Sequence, residues 1–406
     1  MEKRIHYLDW LRLLAVFLGL VFHAGRPFDS WSWIIKGPEI GWLSYFNEAL
    51  TTVRLPLLFF VSGAATVFAL RKASARDYTL DRFKRLIIPL VMGVLLIVPP
   101  QQYIRRLTLD PHNPQHFEGN YEQFLTGPWW GDGSFLLGNL HTEHLWFLLY
   151  LFYFSLLALP IFLYLRSPQG LGLLAGLERW FKQAPWRIWL LVIAPTFLGA
   201  LLPLGLGSHP GLAEDLANLG FYFQLFVLGY ALYLWPGLQS VIFEQRRNFL
   251  LAGLGLVLLK AYLYVAVLHR SLIVSSELLP YHELYWSLRD LAALSLIFAV
   301  LAYAKQYLNQ PSAFLNRARH WVYPFYIWHQ TVIVVLGYFV LKLALPAGWL
   351  HVLLLVSSLV LTVLLSELVQ HSAISRFLFG IHRKMGTNAS AATPPSPQAP
   401  EANPRN

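Results

Sequence analysis

The chain of 406 residues is 56% hydrophobic and only 13% charged, a balance that excludes an ordinary soluble domain and makes lipid its solvent. It contains no cysteine, which excludes disulfides, thiolate catalysis and cysteine-held metal centres and leaves histidines and carboxylates for any chemistry. The net charge of +10 would suggest nucleic acid on a soluble surface, but its spread along this chain follows topology, so no nucleic-acid partner is expected.

Apolar windows of about 20 residues fall at 7–25, 52–70, 86–101, 143–165, 187–204, 217–236, 248–269, 284–304, 321–345 and 347–370. They predict an all-α integral membrane protein, a bundle of about ten transmembrane helices. The first window follows Lys3 and Arg4 but lacks a small-x-small cleavage site and carries Asp9, Arg12 and His23, so it reads as a retained helix rather than a signal peptide. Alternate loops hold 20 lysines and arginines, against five (Arg26, Lys36, Arg105, Arg106 and Arg270) in the others. That asymmetry predicts a multi-pass protein with both termini in the cytoplasm. The long outer loop 102–142, rich in Pro, Gly, His and aromatics, is expected to fold over the bundle mouth. Residues 1–385 form the transmembrane domain, and 386–406 read as a disordered cytoplasmic tail. No internal repeat of the transporter kind is evident.

Ionisable groups inside spans are costly and therefore candidates for function. Asp9 and Arg12 stand i,i+3, and Arg12 and His23 lie 11 residues apart, about 20° off one helix face and roughly 16 Å along it. One stripe thus carries a cation near the cytoplasm and an imidazole near the outside, where His23 is suited to general-base work on a hydroxyl. The alternative is structural, with Asp9 pairing Arg12 and His23 resting at the interface.

The stretch LDWLRLLAVFLGLVFHAG at 8–25 resembles the first helix of the acyltransferase-3 family of membrane-bound O-acyltransferases. FNEALTTVRLPLLFFVSG at 46–63, RFKRLIIP at 82–89, HLWFLLYL at 144–151 and YPFYIWHQT at 323–331 are similar to further signatures of that family. The resemblance covers residues 5 to about 375 and is nearest to the branch that succinylates periplasmic glucans. It implies that an acyl group, succinyl or acetyl, passes from acyl-CoA on the cytoplasmic side to a glycan hydroxyl outside. Within it, His23 would be the base or a transient acyl carrier, and Arg12 with Asp9 would meet the donor from below.

Arg54, near the outer end of the second span, is placed to neutralise an oxyanion or bind a succinyl carboxylate, or else to snorkel or pair with Glu48. His144 is expected to join His23, while His329 is either a supporting donor or a satisfied bundle histidine. His141, Glu143 and His144 on one turn offer too few ligands for a metal site, and none is expected. Arg82 and Arg85 are candidates to grip CoA phosphates, although a basic loop there is required by topology in any case. Ser62 and Gly63 read as a helix crossing rather than a nucleophile and hinge. Trp31, Trp33, Trp42, Tyr103, Tyr121, Trp129 and Trp130 could face sugar rings or form an interfacial belt. The rival functions are a secondary transporter or glycan flippase, and a catalytically silent membrane sensor.

Overall fold

The structure, a computed structural model, describes residues 5–71, 73–113, 115–127, 141–201, 210–265 and 279–381. The sequence-predicted tail at 386–406, together with Trp129, Trp130 and Arg270, lies outside the described residues.

Helices account for the whole bundle. In chain order the main ones are α1 (His6–Gly25), α2 (Gly41–Arg71), α3 (Ala75–Leu107), α4 (Glu143–Leu157), α5 (Leu159–Leu165) and α6 (Leu190–Leu201). They continue with α7 (Pro210–Leu234), α8 (Arg246–Leu263), α9 (Leu279–Tyr307), α10 (Val322–Val340) and α11 (Ala347–Leu368). The described part of each of the ten apolar windows falls mainly on one of these helices or a joined pair, while 202–204 and 266–269 lie outside the described residues. Among the described residues, however, five helices are long and apolar enough to cross a membrane, or seven if each of two bent pairs is one span. One pair is α4–α5, bent by 47° where Pro160 lacks the N–H and clashes with the preceding turn. The other bends by 104° ahead of the short helix Pro236–Glu244.

The helices differ in how much they bury. α11 is the most apolar candidate span and the least covered, exposing Val356, Val360 and Leu364, as a lipid-facing helix should. The span within α9 is the most buried. α3 contains two π-helical turns, Phe83–Ile87 and Gly93–Ile97, a feature frequent where helices serve a site.

Two glycines set the closest helix contact. A Cβ on Gly63 of α2 would stand 1.9 Å from the carbonyl oxygen of Phe226, and one on Gly229 of α7 would stand 2.1 Å from that of Phe60. The backbones of α2 and α7 therefore cross where each contributes a glycine, as small residues permit in lipid. Ser62 beside Gly63 presents its carbonyl to the Thr66 hydroxyl and does not line the cavity described below.

Several charges buried in this bundle are paired. Lys260 of α8, 1% exposed, sits 2.8 Å from Glu48 of α2, donates to Thr52 at 2.9 Å, and shares Glu48 with the Tyr285 hydroxyl of α9. At the surface, Glu367 takes the exposed Arg317 at 2.6 Å and the Trp321 indole, while inside the bundle Arg289 and Asp290 pair at 2.7 Å. Such pairs contribute little net stability, but breaking one strands the other charge at about 3–5 kcal/mol.

Because the α2–α7 crossing has no room for a methyl group, Gly63→Ala should lower stability by about 1–3 kcal/mol. The midpoint of heat unfolding in detergent, followed by size-exclusion chromatography, tests this. A midpoint equal to that of the unsubstituted chain would refute the close crossing.

Candidate active site

The turn after α1 fixes the site's outer edge. Arg26 donates to Asp29 at 2.7 Å and to the Ser32 carbonyl at 2.8 Å, while Asn47 of α2 donates to the same Asp29 at 2.8 Å. Gly25 allows Asn47 this close, since a Cβ there would lie 2.9 Å from the Asn47 amide nitrogen. Lys36 closes the turn by donating to the Asp29 and Trp31 carbonyls. Its burial lowers its pKa below that of an ordinary lysine, with Asp29 pulling the other way. These bonds join the end of α1 to α2 two residues beyond His23.

Behind this turn lies a cavity of about 270 Å³ lined by residues from five helices and from the loops that hold Trp33 and His141. α1 gives Ala15, Gly19 and His23, α2 gives Arg54, and the start of α4 gives Glu143 and His144. α10 gives Tyr326, His329 and Gln330, while Trp33 and Arg105 complete the wall. The four residues expected to be catalytic therefore line one space. The His23 and His329 ring centroids are 5.3 Å apart, those of His144 and His329 are 5.0 Å apart, and Trp33 stacks on His23 at 6.0 Å.

Hydrogen bonding assigns the ring nitrogens. Backbone carbonyls only accept, so the nitrogen facing one must carry the hydrogen. His329 Nδ1 faces the Tyr326 carbonyl at 2.7 Å, and His144 Nε2 faces the Ile327 carbonyl at 3.0 Å. The remaining nitrogens, His329 Nε2 and His144 Nδ1, are buried lone pairs with no partner among the described residues. At His23 the roles are set by Arg54, whose Nη1 stands 3.5 Å from Nε2. A guanidinium only donates, so His23 Nε2 is the lone pair and its buried Nδ1 carries a hydrogen with no acceptor among the described residues.

Arg54 does not pair with Glu48, which belongs to Lys260. It lies 4.0 Å over the Phe22 ring and beside His23, and has no carboxylate partner among the described residues. Gly19 borders the same space, where a Cβ would come into ordinary contact with the Arg54 side chain at 3.9 Å and His329 Nε2 at 4.0 Å.

Glu143 anchors the opposite wall. Its carboxylate accepts from Arg105 at 2.7 Å, Gln102 at 2.5 Å and Gln330 at 3.2 Å. Among the described residues it is also the one non-glycine with positive φ, at 43°. Such a conformation costs on the order of 1–3 kcal/mol and persists when its surroundings enforce it. Here the enforced residue directly precedes His144.

The four residues assigned to the donor are elsewhere. Asp9 and Arg12 pair at 3.6 Å, Arg85 donates to Asp81 at 2.8 Å, and Arg82 lies 4.9 Å over the Tyr78 ring. None lines the cavity. Its deep end at Ala15 is nonetheless three residues from Arg12, a rise of about 4.5 Å. Of the outer aromatics, Tyr103 and Tyr121 pack with Phe117 and Phe124 into a small cluster, and among the described residues only Trp33 enters the site.

A family model described as an acyltransferase domain matches residues 5–369. The chain belongs to this family. It is 23% identical over 257 residues to Glucans biosynthesis protein C of Escherichia coli strain SMS-3-5, covering 62% of this chain and 64% of that protein. The same protein of strain K12 is 22% identical over the same span. The aligned region thus spans just under two thirds of these relatives' length. No solved structure matches the chain.

Sequence reading missed Arg105, Tyr326 and Gln330 as wall residues of this acyltransferase-family site, and named Trp33 only as one of several outer aromatics. Gln330 carried a signal, being a buried amide next to His329, whereas Arg105 read as part of an outer loop. The chain has no cysteine, so single cysteines report access to the cavity cleanly. Gly19→Cys and His329→Cys should react with a small charged methanethiosulfonate, whereas Ser358→Cys, at a fully buried position of α11, should stay protected. Equal protection of all three would mean that the cavity is closed to water.

Proposed function

We propose that this member of the acyltransferase family transfers a small acyl group, succinyl or acetyl, from acyl-CoA to hydroxyls of a cell-envelope glycan such as a periplasmic glucan. In this reading the protein spans the bacterial inner membrane ten times with both termini in the cytoplasm, in keeping with the placement of basic loops. The names of the relatives support a glucan acceptor.

The observation that carries the proposal is Arg54, a cation in the cavity wall with no carboxylate partner among the described residues, while the buried cations Arg26, Lys260 and Arg289 each have one. A buried cation left without an anion suits a group that becomes negative during reaction. The thioester carbonyl would take the guanidinium, which releases the His23 Nε2 lone pair. His23 then removes the proton as the hydroxyl oxygen attacks the carbonyl carbon. The carbon–oxygen bond forms, the carbon–sulfur bond breaks, and the proton passes to the departing thiolate. His329 Nε2 and His144 Nδ1 supply further lone pairs beside the acceptor. Arg12 with Asp9, one turn below the cavity, and Arg82 with Arg85 at the basic end of α3 would hold the CoA phosphates.

A strain lacking this protein, complemented with wild-type or variant chains, tests the reading by mass spectrometry of its glucans and envelope glycans. His23→Ala should abolish the ester increments at unchanged protein abundance. Arg54→Gln should reduce them about 10²–10³-fold, and His329→Ala about 10²-fold or more. Unaltered esters in His23→Ala would remove its role. Identical glycans with and without the protein would reject acyl transfer to these acceptors and favour transport.

A further inference from the structure

A second cavity, of about 520 Å³, adjoins the first, a size within the usual range for ligand pockets. The two share Trp33 and Arg105 as lining residues, so these side chains form a partition between them. On its inner side, Trp33 stacks against His23 and Arg105 holds Glu143. On its outer side the space is bounded by Lys36, Gln115, Tyr338 and Lys342.

The lining is polar in a specific way. It contains three cationic side chains, Lys36, Arg105 and Lys342, and no carboxylate among the described residues. Lys36 and Arg105 are partly compensated from outside the cavity, by Asp29 at 3.7 Å and Glu143 at 2.7 Å. Lys342 is exposed, lies 3.7 Å over the Tyr338 ring, and has no carboxylate partner among the described residues. The wall holding Thr108, Leu109 and Gln115 is a folded loop, tied back by Thr108 to the Ile34 carbonyl at 3.2 Å and by Tyr103 to the Gly119 carbonyl at 3.0 Å. The space is therefore preformed, with ring faces, amide and hydroxyl groups suited to sugar and an uncompensated positive charge at its mouth.

We infer that this second cavity is the acceptor vestibule and that it selects an acidic glycan, one bearing carboxylate or phosphate groups, whose hydroxyl reaches the histidines past Trp33 and Arg105. The inference rests on the acyl-transfer reading for its biological setting but not for its test. Lys342 supplies the selecting charge, and Trp33 and Tyr338 supply apolar faces for the sugar rings.

Binding without an acyl donor decides it. The full-length protein in nanodiscs of zwitterionic lipid is titrated with two fluorophore-labelled probes. One is a neutral glucan hexasaccharide and the other is the same chain with one glucuronate. The acidic probe should bind about tenfold more tightly at low ionic strength, with the advantage shrinking as salt is raised. Lys342→Glu and the milder Lys342→Ala should reduce that advantage while leaving the neutral probe's affinity within about twofold.

Equal affinity for the two probes, no binding of either, or an undiminished advantage in both variants would overturn the proposal. So would displacement of the acidic probe at low ionic strength by a short-chain anionic lipid but not by free glucuronate, which would identify a lipid headgroup as the occupant. Selective binding in a protein that forms no ester would leave the vestibule standing and reject acyl transfer. Ester formation on neutral glucan without selective binding would do the reverse.

Discussion

The structure depends on one requirement of its solvent: lipid offers nothing to a charge, so each charge inside the bundle must be answered by the protein. Glu48 with Lys260, Asp29 with Arg26, and Arg289 with Asp290 meet that requirement in pairs. Arg54 does not, because the nearby carboxylate on its own helix is already taken and its neighbours are an imidazole and an aromatic ring. The site is thus defined less by a special residue than by incomplete electrostatic compensation at one point.

The same economy of partners orders the histidines. Two of them face backbone carbonyls, and that contact alone fixes which nitrogen is basic. Those carbonyls, of Ile327 and Tyr326, belong to α10, so one helix sets the tautomer of a ring on α4 as well as its own. The turn after α1 then holds His23 opposite them through Arg26, Asp29 and Asn47. Three rings on three helices meet without any bond joining them directly, held instead by second contacts that each make elsewhere. Substrate can enter between rings arranged in this way without breaking a ring-to-ring bond.

Much of this was legible in the sequence, for a physical reason. Apolar runs mark where helices lie, and a charge within such a run marks a depth, so His23, Arg54, His144 and His329 stood out before any coordinates. Azimuth was not legible. Lys260 lay unremarked inside an apolar window, and nothing in the order of residues said that Glu48 would face it rather than Arg54. Arg105 read as loop because apolarity ends near residue 101, whereas the helix continues to Leu107. The aromatic residues illustrate the same limit. Trp33 and Tyr103 looked equivalent in composition, yet one stacks on a site histidine while the other packs into a loop.

The two π-helical turns of α3 carry a further consequence. Each has the effect of one residue inserted into an otherwise regular helix, and an inserted residue rotates everything beyond it by about 100°. Arg82 and Arg85 lie at or before the first such turn, and Gln101, Gln102 and Arg105 lie after the second. The two ends of α3 are therefore not locked to a common helical register. Lineages could gain or lose a single residue at either turn and re-aim one end of this helix while the other kept its neighbours. A membrane protein that meets different molecules at its two faces can in this way diversify one face at a time, by changes in length as well as in side chain.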